Sequence, residues 1–552
     1  MSSVNLRTVY AFAREMHSKN ANIGPIQYGT AGFRTLHDRL EYVMYRMGLL
    51  ATLRSRSFSG SAIGVMITAS HNPESDNGVK LIDPMGEMLE KSWEDIATDL
   101  VNVSDDDLEA EVTKIVKCQE IDMNANANVY IGWDTRYHSP VLSRAVMNGV
   151  IALKGNMKEY GIVTTPMLHY FVYSHNVKGA YGVPTEAGYI NKLVTAFKQL
   201  RGDNYENGNY KNHLLFDGAN GVGSLKMLAF NRKLEGALQC VVCNSNGKIN
   251  YECGADFVKT NQKPPTGLPI APANTRCVSV DGDADRVVYF FIDEDGKFHL
   301  LDGDRIATLI ASYLMKLVSE CGVKLNLGIV QTAYANGAST DYIKNELNVN
   351  VACTPTGVKH LHHKAIEYDI GVYFEANGHG TVVFNQQTKD LISKTLNSDD
   401  STDDQKQASN DLILAIDIIN ETVGDAISDM LLVETILHSK GWDLKDWLAT
   451  YDDLPNLQQK VKVKDRNVFE TTDAKRVCVK PEGMQDQINM LVKKYKRGRA
   501  FVRPSGTEDV VRVYAEAADA EDVKCLAAEI SMLVYDMANG VGERPVIPQQ
   551  KL

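Results

Sequence analysis

Short apolar runs recur along the chain, each ending in a polar loop and each followed by a stretch with helical spacing. Ala62–Ile67, Val129–Trp133, His213–Phe216, Cys277–Val280, Leu327–Gln331 and Val372–Phe374 read as strands, and a glycine-punctuated strand is expected at Ile162–Thr164. Between them Leu89, Trp93, Ile96 and Leu100 fall on one helical face within Met88–Leu100, and Ser139-Pro140 suits the cap and first turn of another helix. A helix opens at Asp302–Leu309, and one long helical stretch is expected from Leu412 to Leu448. The closing helix, Ala520–Ala538, sets Val523, Leu526, Ile530, Val534 and Met537 on one face and stops at Asn539-Gly540. The alternation predicts the α/β class, with mixed, mostly parallel sheets covered by helices. In such sheets ligands gather at the carboxyl ends of strands.

Polarity also divides the chain. At 552 residues it is too long for one core. The polar stretches 201–212 and 452–457 suggest boundaries, giving domains 1–200, 201–302, 303–452 and 453–552. Ser393–Asn410 is acidic, serine-rich and nearly free of aliphatics, and is expected to be a disordered surface insertion.

Composition narrows the class further. With 44% hydrophobic residues and a net charge of −12, the chain reads as a globular protein whose partner is neither nucleic acid nor an anionic membrane. The N-terminal segment lacks the apolar core of a signal peptide, and no apolar run approaches the ~18–20 residues of a membrane span. The nine cysteines are scattered as in reduced cytosolic proteins, so a cytoplasmic location is expected. Cys240 and Cys243 form a C-x-x-C, but in a strand these positions point to opposite faces, which argues against metal or redox work.

Four loops carry candidate chemistry. Thr68-Ala69-Ser70-His71-Asn72-Pro73 ends the Ala62–Ile67 strand, bringing out a hydroxyl, an imidazole and an amide together. Ser70 is the candidate nucleophile, although a turn hydroxyl would look the same in isolation. Asp281-Gly282-Asp283-Ala284-Asp285-Arg286 sets three carboxylates at alternate positions, which repel one another unless a cation lies between them. Oxygen ligands select Mg²⁺ or Ca²⁺, and an EF-hand fails because Arg286 and Ile292 stand where glycine and glutamate belong. Glu375-Ala376-Asn377-Gly378-His379 follows a strand and suits sugar hydroxyls, with Thr354–Lys359 as a neighbouring loop; a plain polar loop fits equally. Arg503-Pro504-Ser505-Gly506-Thr507, with Arg512 on the next strand, reads as a dianion pocket. Two glycine loops leave more open. In Gln27–Arg34 the Arg34 guanidinium stands beside backbone N–H groups suited to an anion or belongs to a simple surface turn, and Asp217–Gly223 is favoured as a structural turn.

Taken together, TASHNP (68–73), DGDADR (281–286), EANGH (375–379) and RPSGT (503–507), in this order, resemble the α-D-phosphohexomutase superfamily across nearly the whole chain. The resemblance implies four domains around a central cleft, three similar α/β units and a smaller α+β lid. It implies a phosphoryl-transfer mutase in which Ser70 carries the phosphoryl group and Asp281, Asp283, Asp285 and an oxygen on Ser70 hold one Mg²⁺. Arg34, Lys80 and Arg286 would stabilise the migrating group, and His71 and His379 would be proton carriers or hydrogen-bonding props. Glu375, Ala376, Asn377, Thr356 and Gly357 would grip the sugar, and Arg503, Pro504, Ser505, Gly506, Thr507 and Arg512 its phosphate. Asn377, where many relatives carry serine, and Val358, where some carry histidine, point toward an N-acetylated sugar. The implied reaction interconverts N-acetylglucosamine 6-phosphate and N-acetylglucosamine 1-phosphate, activated by a sugar 1,6-bisphosphate, in a monomer. Rival readings are a glucose or mannose phosphate mutase of the same fold, a Mg²⁺-dependent phosphatase, and a silent sugar-phosphate-binding paralogue.

Overall fold

In the computed structural model of the chain, residues 7–20, 22–29, 32–505 and 509–548 are described. They form two compact units, one of Met1–Lys324 with Asn377–Trp447 and one of Leu325–Ala376 with Leu448–Leu552.

The first unit holds two sheets built on one plan. Strands β1 (Phe33–Leu36), β2 (Ala62–Ile67), β3 (Asp76–Ile82), β4 (Asn128–Trp133) and β5 (Asn156–Ile162) stand in the order β1-β3-β2-β4-β5. In it β2, β4 and β5 run parallel, and β3 turns back antiparallel to β2 with β1 beyond it. Strands β6 (His213–Asp217), β7 (Gln239–Cys243), β8 (Cys277–Val280), β9 (Val287–Ile292) and β10 (Phe298–Leu301) repeat this as β10-β9-β8-β6-β7, with β7, β6 and β8 parallel and β9 and β10 antiparallel. β2 is buried at every residue, which is why its sequence is continuously apolar and does not alternate.

The helix Glu41–Ser57 is buried nearly all round and crosses the helix Ser139–Ala152 at glycine contact. A Cβ on Gly48 would lie 2.0 Å from the Val146 carbonyl oxygen, and one on Gly149 would lie 2.1 Å from that of Tyr45. Only hydrogen fits at either position.

In the second unit β11 (Leu327–Thr332), β12 (Asn350–Thr354) and β13 (Ile370–Phe374) form a parallel set ordered β12-β11-β13. After β14 (Gly380–Phe384), which belongs to the first unit, β15 (Asn456–Lys462), β16 (Glu470–Thr472), β17 (Val477–Lys480), β18 (Arg499–Pro504) and β19 (Val510–Glu516) complete the second. β15-β19-β18 is an antiparallel sheet whose inner face (Val461, Val502, Val511, Val513) packs on Leu526, Ile530 and Val534 of the helix Ala520–Met537. Glu516, buried, takes the Gly337 N–H at 3.0 Å, the Tyr514 hydroxyl at 2.8 Å and the Arg499 guanidinium at 3.0 Å. That one carboxylate ties the antiparallel sheet to the helix Gly337–Asn345 behind β11.

Several expectations need correction. Ser393–Asn410 is not disordered: it ends the helix Gln386–Leu396, passes through a short turn and starts the helix Asp403–Ile418. Thr402 and Gln405 form a reciprocal capping box, and the small side chains of Ala408 and Ser409, with Leu412, are buried, Ser409 Oγ lying 3.0 Å from Cys321 Sγ. The long helix from Leu412 to Leu448 is broken. It stops at Ile418, restarts at Ala426 under an Asp425 cap, and ends at Lys440, where Gly441 adopts φ 66°. The strand expected at Ile162–Thr164 lies upstream as β5, because Thr164 accepts the Met167 N–H and caps the next helix. The helix expected at Met88–Leu100 runs Lys91–Asn102.

Candidate active site

The two strongest loops occupy matching positions in the two sheets of the first unit. Ser70 lies in the connection from parallel β2 to antiparallel β3, and Asp281–Arg286 in the connection from parallel β8 to antiparallel β9. Ser70 is buried and adopts φ 50°, a left-handed conformation that costs energy for a side chain with a Cβ. Hydrogen bonds hold it there. Its N–H donates to Thr68 Oγ1 at 2.9 Å, and its carbonyl accepts from Asn250 Nδ2 at 2.7 Å and Arg136 Nη2 at 3.3 Å. The same two donors reach the Asn72 carbonyl at 3.0 and 2.6 Å, so both ends of the turn are clamped. Ser70 Oγ then donates to Asp281 Oδ2 at 2.7 Å.

The Asp281, Asp283 and Asp285 carboxylates are buried, with one oxygen of each within 4.8 Å of the others. Lys80 Nζ stands 3.2 Å from Asp283 and 3.4 Å from Asp285, and Thr165 Oγ1 donates to Asp283 at 2.6 Å. Arg286 Nε lies 3.8 Å from Asp281, and His379 Nδ1 lies 3.6 Å from Asp285. Arg34, opposite Gly78 on β1, shares a face with Lys80, and its Nε is buried without a hydrogen bond among the described residues. Burial, then the charges of Asp285 and Asp283, pushes Asp281 well above the usual carboxylate range. Burial acts the same way on Asp285, but His379, Lys80, Arg286 and Arg34 outweigh it and hold that carboxyl below the range. His71 is pushed down to about 2 by burial and by Arg286 and Arg34, so its imidazole is neutral here.

The remaining predicted residues are divided between the two units. Glu375 Oε1 accepts the Gly357 N–H at 2.9 Å, joining the loop after β13 to the loop that contains Thr356. Asn377 and His379 fall in the first unit, where Asn377 Oδ1 accepts the His379 N–H at 3.0 Å, and Ala376 is the last residue before that unit resumes. Arg503 and Pro504 end β18, Arg512 faces Arg503 across the ladder, and the Ser505 N–H donates to the Val510 carbonyl at 2.8 Å. Gly506 and Thr507, and Thr30-Ala31 of the first glycine loop, lie outside the described residues.

Four family models match the chain: Phosphoglucomutase/phosphomannomutase, alpha/beta/alpha domain I, over 49–107 and 106–183; Phosphoacetylglucosamine mutase AMG1, domain II, over 180–288; its domain III over 302–442; and Phosphoglucomutase/phosphomannomutase, C-terminal domain, over 459–532. The phosphoacetylglucosamine mutase of Sus scrofa is 53% identical over 522 residues, spanning 94% of this chain and 96% of the relative. The chain belongs to the phosphoacetylglucosamine mutase family. Crystal structures agree with that placement. The Aspergillus fumigatus N-acetylphosphoglucosamine mutase in complex with GlcNAc-6P and magnesium superimposes with a TM-score of 0.91 at 46% identity, covering 97% of this chain and 99% of that one. A form of the same fungal enzyme in complex with glucose 1,6-bisphosphate gives 0.90 at 45% identity, covering 97% and 100%.

Membership in the phosphoacetylglucosamine mutase family makes this an isomerase of the phosphohexomutase type, and the acidic loop can be tested against the metal such chemistry uses. Asp283 Oδ1 and Asp285 Oδ1 are buried and accept no hydrogen bond among the described residues, and the clustered atoms of the three aspartates are all hard carboxylate oxygens. A small oxygen-seeking cation fits that donor set. The reading of residues alone misses Thr165, Asn250 and Arg136. Arg136 and Thr165 follow the carboxyl ends of β4 and β5, the same strand-end position as Ser70, which is the signal that finds them; Asn250 carries none.

Proposed function

We infer that this enzyme interconverts N-acetylglucosamine 6-phosphate and N-acetylglucosamine 1-phosphate through a phosphoserine at Ser70. The observation that carries the reading is the 2.7 Å contact between Ser70 Oγ and Asp281 of a buried carboxylate triad in which Asp283 Oδ1 and Asp285 Oδ1 accept no hydrogen bond among the described residues. Asp281, Asp283 and Asp285, with an oxygen on Ser70, hold one Mg²⁺, which when bound offsets the charge of the phosphoryl group. Ser70 gives that group to the free sugar hydroxyl: the serine O–P bond breaks, the sugar O–P bond forms, and the proton lost by the sugar hydroxyl is balanced by the one that restores the Ser70 hydroxyl. The resulting 1,6-bisphosphate reorients, and Ser70 takes back the other phosphoryl group. Lys80, Arg34 and Arg286 stabilise the equatorial oxygens, so that catalysis is mainly positioning and electrostatics.

The roles of the remaining loops follow from their chemistry. Glu375, Ala376, Asn377, His379, Thr356 and Gly357 hold sugar hydroxyls common to both orientations. Arg503, Pro504, Ser505, Gly506, Thr507 and Arg512 take whichever phosphate is not reacting. In this reading segments 1–200, 201–302, 303–452 and 453–552 each supply one loop, in a cytoplasmic monomer. All nine cysteines are free, and no helix of the described residues is long and apolar enough to cross a membrane.

A phosphorus NMR time course with N-acetylglucosamine 6-phosphate, Mg²⁺ and a trace of sugar 1,6-bisphosphate tests the reading. Wild type is expected to produce the 1-phosphate. Ser70→Ala is expected to produce none while still binding the sugar phosphate in calorimetry. Steady release of inorganic phosphate, or turnover by Ser70→Ala, would overturn the assignment.

A further inference from the structure

The antiparallel sheet of the second unit carries a row of like charges. In its register Arg503 on β18 faces Arg512 on β19, and Arg512 faces Lys460 on β15, so three cations lie side by side across three strands. Directly opposed residues of an antiparallel ladder share a face, and like charges placed so repel one another. The opposite face is buried valine, so a one-residue shift of register would turn the core outward, and the observed pairing keeps the three cations abreast.

On the same face the pattern elsewhere is matched. Arg499 faces Glu516, which accepts its guanidinium, and Phe501 faces Tyr514 with the rings stacked at 5.0 Å. The row at 460, 512 and 503 has no counter-charge: none of the three makes an ion pair among the described residues, and Arg503 Nε is buried without a hydrogen bond. Lys475 adds to the imbalance, its ammonium held below the usual range by burial and by Arg503. It follows Asp473 and Ala474, and all three adopt left-handed backbones, with φ 49°, 56° and 67°. A sheet that keeps three cations in register and strains a turn to bring in a fourth is built for a dianion at that spot.

We propose that Lys460 is a substrate-binding residue, the third cation of the phosphate site, gripping the non-reacting phosphate of either sugar orientation from the side opposite Arg503. The proposal rests on the reading of Arg503 and Arg512 as the phosphate pocket. Nothing in a family motif marks Lys460. It stands on an edge strand more than 40 residues upstream of Arg503, where an exposed lysine has a ready alternative as a guard against edge-to-edge pairing.

The experiment is steady-state kinetics of Lys460→Met, Lys460→Arg and Arg512→Gln on N-acetylglucosamine 6-phosphate, with equilibrium binding to the same variants carrying Ser70→Ala. Lys460→Met is expected to raise KM and Kd by about 3- to 10-fold, more than it lowers kcat, with Lys460→Arg restoring most of the loss. The gap between Lys460→Met and wild type should narrow as salt rises, because the lost contact is ionic. An edge-guard lysine would instead leave KM unchanged and lower solubility. If Arg512→Gln weakens binding and Lys460→Met does not, the proposal fails alone. If neither does, the phosphate-pocket reading fails with it.

Discussion

Gly282 has no side chain, yet it decides where the nucleophile sits. A Cβ there would lie 2.7 Å from the Ser70 carbonyl oxygen and 2.9 Å from Asn250 Nδ2, inside the clamp that holds the serine turn. Gly282→Ala is therefore expected to push Ser70 away from Asp281 and lower kcat by about 100-fold, with thermal stability and sugar-phosphate affinity nearly kept. Kinetics and calorimetry on the purified variant check this; an unchanged kcat would refute the clamp. At this scale the sequence is legible where a residue's chemistry is its own message. Three aspartates at alternate positions announce a cation, and a serine at a strand end announces an exposed hydroxyl. Asn250 and Arg136 announce nothing, because each works by holding a carbonyl 180 or 66 residues away. Their meaning lies in the pairing, which only the fold supplies.

At the scale of the element, the capping box before Asp403 explains how an acidic, serine-rich stretch becomes a helix. The Thr402 side chain and the Gln405 side chain satisfy donors that the first turn would otherwise leave to water. Thr402→Ala should cost about 0.5–2 kcal/mol, read as a lowered midpoint in urea unfolding with catalysis intact. A midpoint equal to wild type would mean that packing of Ala408, Ser409 and Leu412 alone holds the helix. Strands were legible as apolar runs because burial on both faces leaves no polar residue to interrupt them. Element ends were less so: Gly424-Asp425 is a stop-and-cap signal, but continuous apolar periodicity on either side masks it. Aliphatic content misleads at Ser393–Asn410, since a helix can pack through alanine and serine when its neighbour comes close.

At the scale of the molecule, the chain crosses between its two compact units more than once, so neither unit is a single stretch of sequence. Composition could suggest boundaries at polar stretches but not this interleaving, which depends on contacts between distant segments. Each unit has its own core, so calorimetry is expected to resolve two unfolding transitions. Glu516→Gln, which weakens the grip on Arg499 and the Gly337 N–H, should lower one of them by on the order of 2–3 kcal/mol and leave the other in place. Equal shifts of both would show that the units unfold together. The glycine crossing of the helices Glu41–Ser57 and Ser139–Ala152 acts over a longer reach. Both helices pack on the central strands whose ends aim Ser70 and Arg136. A single methyl group at position 48 or 149 has nowhere to go but into that scaffold, so among inherited variants these two codons should prove as unforgiving as the serine's own, although neither residue ever meets the sugar.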